Sequence, residues 1–237
     1  MIKKHIPNSV TCCNLISGCI ATYCAFRHDF EWALAWMIIG AIFDFFDGMT
    51  ARLLHVSSPI GKELDSLADD ITFGLAPSAI IFTELCVLPY PSFLEPLRPA
   101  LPFTAFIMAA FSALRLAKFN LDTRQALGFI GLPTPANALF WGSLMVGVTH
   151  RFESSSIWVL VILVGVAVSS CLLVSEIPMF ALKFKQWGWK ENKLKYLFIL
   201  SCVPILVLLG VSGLAVIIAW YVLLSLIFSK KPSTNNQ

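Results

Sequence analysis

Long apolar stretches are the feature of this sequence that most limits its possible folds. A helix that crosses a bilayer needs about 20 predominantly apolar residues, and stretches of this kind recur along most of the chain. Only 13% of the 237 residues are charged and 57% are hydrophobic, whereas ordinary globular proteins carry about 25% charged residues. The pattern predicts an all-α, polytopic membrane helix bundle. We expect about eight transmembrane helices, at Val10–Phe26, Trp32–Leu53, Ser66–Leu88, Leu101–Lys118, Ala136–Val148, Ile157–Ser175, Leu194–Leu209 and Val211–Phe228.

The distribution of basic residues predicts how these helices are oriented. Eight spans place both termini on one side of the membrane, together with 14 of the 17 Lys and Arg residues. The other three, Arg27, Arg98 and Arg151, fall on the opposite side. Because basic loops are retained in the cytoplasm, both termini should be cytoplasmic, whereas seven spans would leave the C-terminal lysines outside. The net charge of +3 is too small to indicate nucleic acid as a partner.

The two ends of the chain carry their own signals. Residues 1–8 resemble the basic start of a signal peptide, but the apolar stretch after them reaches Phe26 without a clear cleavage site. We therefore expect a retained membrane anchor. The whole chain, 1–237, is predicted to form one membrane-embedded domain with a polar tail over 230–237.

Acidic side chains are concentrated where they are most costly. Six of the 14 Asp and Glu residues lie between positions 44 and 70, and two of them, Asp44 and Asp47, lie inside a predicted span. Each carboxylate at the centre of a bilayer costs roughly 2.5–3.5 kcal/mol on an insertion scale, so a group of them needs a compensating partner. For two of the six, Glu63 and Asp70, we expect water to be that partner.

Helical spacing directs the other four carboxylates toward one cleft. Asp44 and Asp47 are three residues apart on one helical face, and Asp65 and Asp69 are four apart on a second. Carboxylate oxygens suit Mg²⁺, Mn²⁺ or Ca²⁺, whereas Zn²⁺ prefers nitrogen and sulfur ligands. Two such ions would neutralise the acids and bind a diphosphate. Small residues beside the acids leave space for that ligand and an arginine can bind its phosphate oxygens; these neighbours are Gly48, Ala51, Gly61 and Arg52.

The same stretch resembles the signature of a known enzyme family. Residues 44–52 read DFFDGMTAR, and after eight further residues 61–69 read GKELDSLAD. This is similar at every specified position to DxxDGxxAR-x8-GxxxDxxxD, the signature of the CDP-alcohol phosphotransferases. Asp70 departs from the pattern, in which we expect an apolar residue. Flanking segments resemble the membrane-spanning phosphatidylserine synthases of that family, namely Ile6–Asn14, Phe73–Pro77, Leu114–Asn120 and Gly131–Ala136.

The resemblance implies a reaction and a set of residue roles. Members of this family transfer a phosphatidyl group from a CDP-linked lipid to an alcohol and release CMP. By matching position, two divalent cations, Mg²⁺ or Mn²⁺, would be held by Asp44, Asp47, Asp65 and Asp69, the last of which would also be the general base. The CDP-binding side would be lined by Gly48, Ala51, Arg52 and Gly61. The likeness further implies CDP-diacylglycerol and L-serine as substrates, a homodimer among membrane lipid, and a site facing the cytoplasm from the inner membrane.

Polar residues outside the signature are candidates for substrate binding. Arg115 and Lys118 lie three apart at the cytoplasmic end of the fourth span, where Arg115 above all could bind the carboxylate of serine. Basic residues in such a position also serve topology or bind lipid headgroups, so that alternative stays open. Asn8 and Thr11, at the start of the first span, could contact CDP or could cap the helix after Pro7.

Two alternatives compete with a serine-specific transferase. A cation transporter also carries carboxylates in its spans, but it would distribute them along the depth of the bundle, whereas these acids cluster near one face. Within the enzyme class, the signature alone does not select the alcohol, so glycerol 3-phosphate and inositol phosphate remain alternative acceptors.

Overall fold

The chain is built almost entirely from helices. A computed structural model describes residues 5–56, 58–122, 129–152, 155–179 and 188–228. A short antiparallel pair, β1 (Phe129–Ile130) with β2 (Pro178–Met179), joins two of the segments that connect the helices. The α-helices of the described residues are α1 (His5–Phe26), α2 (Phe30–Leu53), α3 (Pro59–Asp69), α4 (Ala76–Val87), α5 (Phe106–Leu121), α6 (Thr134–Phe152), α7 (Ile157–Val174), α8 (Trp189–Leu209) and α9 (Gly213–Phe228).

Six stretches of the described residues are long and apolar enough to cross a membrane: His5–Phe26, Phe30–Leu53, Pro59–Val87, Leu101–Leu121, Ile157–Val174 and Lys195–Ile227. The predicted span at Ala136–Val148 lies within α6, which is not one of the six. The last two predicted spans form α8 and α9, which together make up the sixth stretch. The all-helical prediction is therefore confirmed, while eight crossings and cytoplasmic termini stay predictions. The predicted polar tail, 230–237, lies outside the described residues.

The third membrane stretch begins earlier than the sequence suggested. Its predicted start was Ser66, but α3 begins at Pro59. Ser58 caps this helix, because its hydroxyl oxygen accepts a hydrogen bond from the Gly61 backbone N–H at 3.0 Å, and proline suits the first helical position. The second half of the signature therefore lies on the same continuous helical stretch, Pro59–Val87, that is long and apolar enough to cross a membrane.

A π-helical segment, Asp70–Leu75, joins α3 to α4. Such a segment inserts an extra residue into a helical turn and is frequent at functional sites. Here it follows directly after the last aspartate of the signature. On one side Thr72 is buried against α1, where its hydroxyl donates to Asn14 Oδ1 at 2.8 Å. On another, Asp70 lies next to Gly74 and Ser112, so the segment connects α1 to α5.

Helix α1 packs closely against both α2 and the π-helical segment. α1 packs along α2 through small side chains, among them Ala21, Ala25 and Ala33, which are fully buried. A Cβ atom added at Gly18 would lie 2.8 Å from Thr72 Cα, and one at Gly40 would lie 2.9 Å from Asn14 Oδ1. Small residues allow membrane helices to approach this closely.

The outer surface of the bundle is apolar, as expected for a protein surrounded by lipid. Many large hydrophobic side chains are exposed, among them Phe45, Val164, Leu200, Val207, Leu208 and Ile227.

Helices α8 and α9 are separated at Gly210. This residue adopts a φ of +57° and follows the end of α8 at Leu209.

Candidate active site

Two neighbouring helices bring three aspartates together. Asp44 and Asp47 lie on the C-terminal half of α2, and Asp65 lies on α3. Each offers a carboxylate oxygen, and these three atoms lie within 4.8 Å of one another. Asp47 is 7% exposed, and the other two are half-buried. The loop between α2 and α3 is short, so the two helices present their acids to one shared space.

Asp69 lies one helical turn beyond Asp65. It is not part of the group of three, but it interacts electrostatically with Asp44, Asp65 and Asp47. Its Oδ1 accepts a hydrogen bond from Asn14 Nδ2 at 3.0 Å. This hydrogen bond orients the Asp69 carboxylate and leaves Oδ2 without a bond to the amide.

A chain of buried polar side chains from α1 supports the acids. Thr11 donates its hydroxyl to Asp47 Oδ2 at 2.6 Å. Asn14, one turn further, donates to Asp69 and accepts from Thr72. Neither Asn14 nor Thr72 was assigned a role from the sequence. The sequence pattern that could have identified Asn14 is its spacing from Thr11, because residues three apart share one face of a helix.

The capping alternative for Asn8 and Thr11 is wrong. Within the described residues α1 already begins at His5, so both side chains lie inside the helix. Asn8 faces α3, where its Oδ1 lies 3.0 Å from the position that a Cβ atom on Gly61 would occupy. Helix α1 thus supplies side chains to the site along its first three turns, namely Asn8, Thr11 and Asn14.

A cavity of about 280 Å³ opens beside the acids. Five of the six residues predicted to bind the CDP-lipid line it: Asn8, Thr11, Gly48, Ala51 and Gly61. Asp47 and Asp65 also face it, as do four residues that the sequence analysis did not single out, Pro7, Val56, Ser58 and Lys62. The space above Gly48 is open, since no atom lies within 4 Å of where its Cβ would be.

Arg52 is the sixth predicted residue, and it lies outside this cavity lining. Its Nε donates to the Gly48 backbone carbonyl at 3.0 Å, and its side chain is exposed. It therefore stays at the edge of the cleft, one helical turn from the acids.

The acidic cluster fits a divalent metal ion. Its donor atoms are all carboxylate oxygens, the ligands that Mg²⁺ and Mn²⁺ prefer. Asp65 Oδ1 is buried and has no hydrogen-bond partner among the described residues. A buried carboxylate oxygen without a partner is costly, and a bound cation would offset that cost. Asp44, Asp47 and Asp65 could hold such an ion.

A second cavity, of about 320 Å³, is lined by both predicted serine-binding residues, Arg115 and Lys118. Arg115 is 7% exposed; its Nη1 donates to Thr134 Oγ1 at 3.3 Å, and it interacts electrostatically with Asp69. Lys118 is exposed. Arg115 therefore lies between this cavity and the last aspartate of the signature.

Polar contacts join α3, which lines the first cavity, to α5, which lines the second. Lys62, which lines the first cavity, donates its ammonium to the Asn120 carbonyl at 2.8 Å. Asn120 in turn donates its side-chain amide to Ser66 Oγ at 2.8 Å. These contacts join the first two turns of α3 to the C-terminal end of α5.

The chain is similar to a group of characterised enzymes. It is 33% identical over 175 residues to the CDP-diacylglycerol–serine O-phosphatidyltransferase of Bacillus subtilis (strain 168). This alignment covers 73% of this chain and 89% of the relative. The enzyme of the same name from Helicobacter pylori (strain ATCC 700392 / 26695) is 31% identical over 242 residues, 96% of both chains. That of Methanocaldococcus jannaschii is 33% identical over 204 residues, 76% of this chain and 90% of the relative.

A family profile extends over the part of the chain that carries the signature aspartates and Arg115. The profile described as CDP-alcohol phosphatidyltransferase matches residues 4–145, which include the signature aspartates, the α1 side chains that support them and Arg115. The resemblance inferred from the signature is thereby confirmed. The matched residues make up more than half of the chain and include the paired helices that carry the aspartates. This chain therefore belongs to the CDP-alcohol phosphatidyltransferase family.

Proposed function

We propose that this protein transfers a phosphatidyl group from CDP-diacylglycerol to the hydroxyl of L-serine, forming phosphatidylserine and CMP. The observation that carries the proposal is the placement of the acids between two cavities. Asp47 and Asp65 line the first, and Arg115, which interacts with Asp69, lines the second. The relatives named above for this reaction support serine as the acceptor. Family membership favours an enzyme over the cation transporter.

The donor is proposed to occupy the first cavity. Asp44, Asp47, Asp65 and Asp69 would hold two divalent cations, Mg²⁺ or Mn²⁺, and the CDP group would lie against the small residues Gly48, Ala51 and Gly61, near Asn8 and Thr11. Arg52 at the edge would reach phosphate oxygens. Such ions, when bound, supply charge neutralisation at the diphosphate and polarise the phosphoryl group.

The acceptor hydroxyl is activated by Asp69 in this proposal. Asp69 Oδ2 takes the hydroxyl proton while Asn14 holds the other oxygen in place. The serine oxygen then forms a bond to the phosphorus that carries the lipid, and the bond from that phosphorus to the CMP oxygen breaks. The proton on Asp69 passes to solvent or to the departing CMP, so the reaction is a direct displacement.

Arg115 and Lys118 are proposed to bind the carboxylate of serine. The planar guanidinium of Arg115 suits a carboxylate, and its hydrogen bond to Thr134 fixes its orientation. Arg115 is buried in the bundle, which favours a ligand role over one in topology or at lipid headgroups. Lys118, which is exposed, would contribute charge from the rim of the cavity.

The same proposal covers the whole molecule. A single membrane-embedded domain crosses the inner membrane eight times, with cytoplasmic termini and an active site that faces the cytoplasm. Two copies associate as a homodimer. The concentration of basic residues on the terminus side supports this orientation.

An acceptor screen tests the function. Purified full-length protein in detergent with CDP-diacylglycerol is offered serine, glycerol 3-phosphate, inositol phosphate or choline, and CMP and the lipid product are measured. We expect CMP release and phosphatidylserine formation with serine alone. Transfer to another acceptor in place of serine would refute the assignment and would leave the family chemistry intact.

A further inference from the structure

The second cavity carries both signs of charge. Arg115 and Lys118 line it from α5, and two carboxylates, Asp122 and Glu176, line it as well. Asp122 follows α5 four residues after Lys118, whereas Glu176 comes from a different element, just after the end of α7. A cavity that binds only an anion has no need of acidic side chains in its wall, because they repel the ligand.

One short segment holds the cationic and the anionic sides of this cavity in place. Thr134, at the start of α6, accepts the hydrogen bond from Arg115. Gly131, three residues earlier, donates its backbone N–H to the Ile177 carbonyl at 2.9 Å, next to Glu176. Leu132 donates to the Leu172 carbonyl at 2.9 Å, and the β1–β2 pair continues the attachment.

Glycine is required at position 131 for this attachment. Its φ is +75°, and a Cβ atom there would lie 2.7 Å from the Leu173 carbonyl oxygen. The segment therefore lies directly against the C-terminal end of α7. Because it contacts both Arg115 and the turn that carries Glu176, the positions of the two charges are set by one piece of backbone.

Arg115 has one donor without a partner among the described residues and a restricted orientation. Its Nε is buried and has no hydrogen-bond partner among the described residues, although Nη1 is bonded to Thr134. The guanidinium carbon lies 5.6 Å from the centre of the Phe119 ring, which further limits its orientation. The guanidinium therefore keeps hydrogen-bonding capacity beyond its bond to Thr134.

Building on the proposed function, we propose that Glu176 determines acceptor specificity by binding an ammonium group, while Arg115 and Lys118 bind the carboxylate of the same molecule. The cavity thus selects a zwitterion, an alcohol that carries both an ammonium and a carboxylate. Glycerol 3-phosphate and inositol phosphate have no ammonium and bring a second negative charge, so Glu176 would disfavour them.

Matched acceptors test this inference. The purified full-length wild type and Glu176→Gln are assayed for CMP release with L-serine and with 3-hydroxypropanoate, which is serine without its amino group. We expect Glu176→Gln to lower kcat/KM for serine about tenfold or more, through KM, because a charge-assisted hydrogen bond is lost. The value for 3-hydroxypropanoate, an anion without an ammonium, should not fall and should rise to the extent that Glu176 repels it, and Glu176→Asp should retain part of the preference for serine.

Glu31→Gln, a neutralised exposed acid at the start of α2 and outside both cavities, is the control and should match the wild type. An equal loss with both acceptors would overturn the inference, since it indicates a structural role. Equal use of both acceptors by the wild type would also overturn it, whether or not the variants fold. Absence of serine transfer by the wild type would instead refute the proposed function.

Discussion

At the scale of single residues, the proposed chemistry depends on Asp69, the acid that lies beside both Asn14 and Arg115. Asp69→Asn keeps the shape of the side chain but removes the group that takes the proton. We expect turnover to fall by about 100-fold or more while binding of CDP-diacylglycerol persists. Steady-state CMP release and equilibrium binding of the donor lipid measure the two effects.

The adjacent acid provides a control for that variant. Asp70 belongs to the π-helical segment and lies against Gly74 and Ser112. Asp70→Asn removes the same charge one residue away and should retain activity within a few fold. If Asp69→Asn were as active as Asp70→Asn, the assignment of Asp69 as the base would be wrong.

Thr11 is expected to affect metal binding through Asp47. Thr11→Val keeps the volume of the side chain and removes the hydroxyl that donates to Asp47 Oδ2. Partners that orient a ligand typically contribute 10–100-fold to metal affinity, so the Mg²⁺ concentration for half-maximal activity should rise about tenfold. Ser9→Ala is the control, because Ser9 is exposed and its hydroxyl donates to the His5 carbonyl of its own helix. An unchanged Mg²⁺ requirement would show that this hydrogen bond does not organise the acids.

Residue spacing in the sequence was sufficient to place the acids on helical faces, and three of them do meet. It could not reveal Thr72, because its contact with Asn14 joins residues 58 positions apart and depends on the local π-helical geometry. Arg52 matches the signature, yet its side chain turns back to the Gly48 carbonyl. A pattern specifies which face a residue occupies, whereas the direction of a long side chain depends on its neighbours.

At the scale of helices, close packing of α1 and the π-helical segment should control stability. Gly18→Ala would bring a methyl group to 2.8 Å from Thr72 Cα, a backbone atom that cannot move aside. Overpacking of this kind costs about 1–3 kcal/mol, so the thermal midpoint of the detergent-solubilised protein should fall by several degrees.

Gly48→Ala is the matched control for that substitution. The space above Gly48 is open, so the added methyl should leave the unfolding temperature unchanged and raise the KM for CDP-diacylglycerol. Equal stability of both variants would mean that α1 does not approach the π-helical segment as closely as described.

Apolar periodicity placed a helix at every predicted span, but it misjudged where the third one starts. The amphipathic first turns of α3 contain few apolar residues, so hydropathy placed the start at Ser66. The local signal that was missed is a serine followed by proline, the capping pattern at Ser58 and Pro59. The last two predicted spans were divided at Gly210, and α8 does end at Leu209, where Gly210 adopts a positive φ that glycine tolerates.

At the scale of the whole molecule, the number of crossings sets the side on which the C-terminus lies. We expect a reporter fused after Arg98 or Arg151 to be outside, and one fused after Lys193 or Gln237 to be cytoplasmic, because eight spans satisfy the basic-residue distribution. Alkaline phosphatase fusions, active only outside the cytoplasm, measure this. An active fusion at Gln237 would indicate an odd number of crossings.

In the proposed mechanism, two adjacent helices present aspartates that work as one divalent-metal centre for transfer to serine. The most direct measurement is phosphatidylserine formation by the purified full-length protein, first in excess chelator and then during titration with Mg²⁺ or Mn²⁺. We predict no turnover in chelator, recovery on addition of either ion, and no recovery for Asp65→Asn at the concentrations that restore the wild type. Undiminished serine transfer in chelator, or full recovery of Asp65→Asn at those concentrations, would contradict the claim.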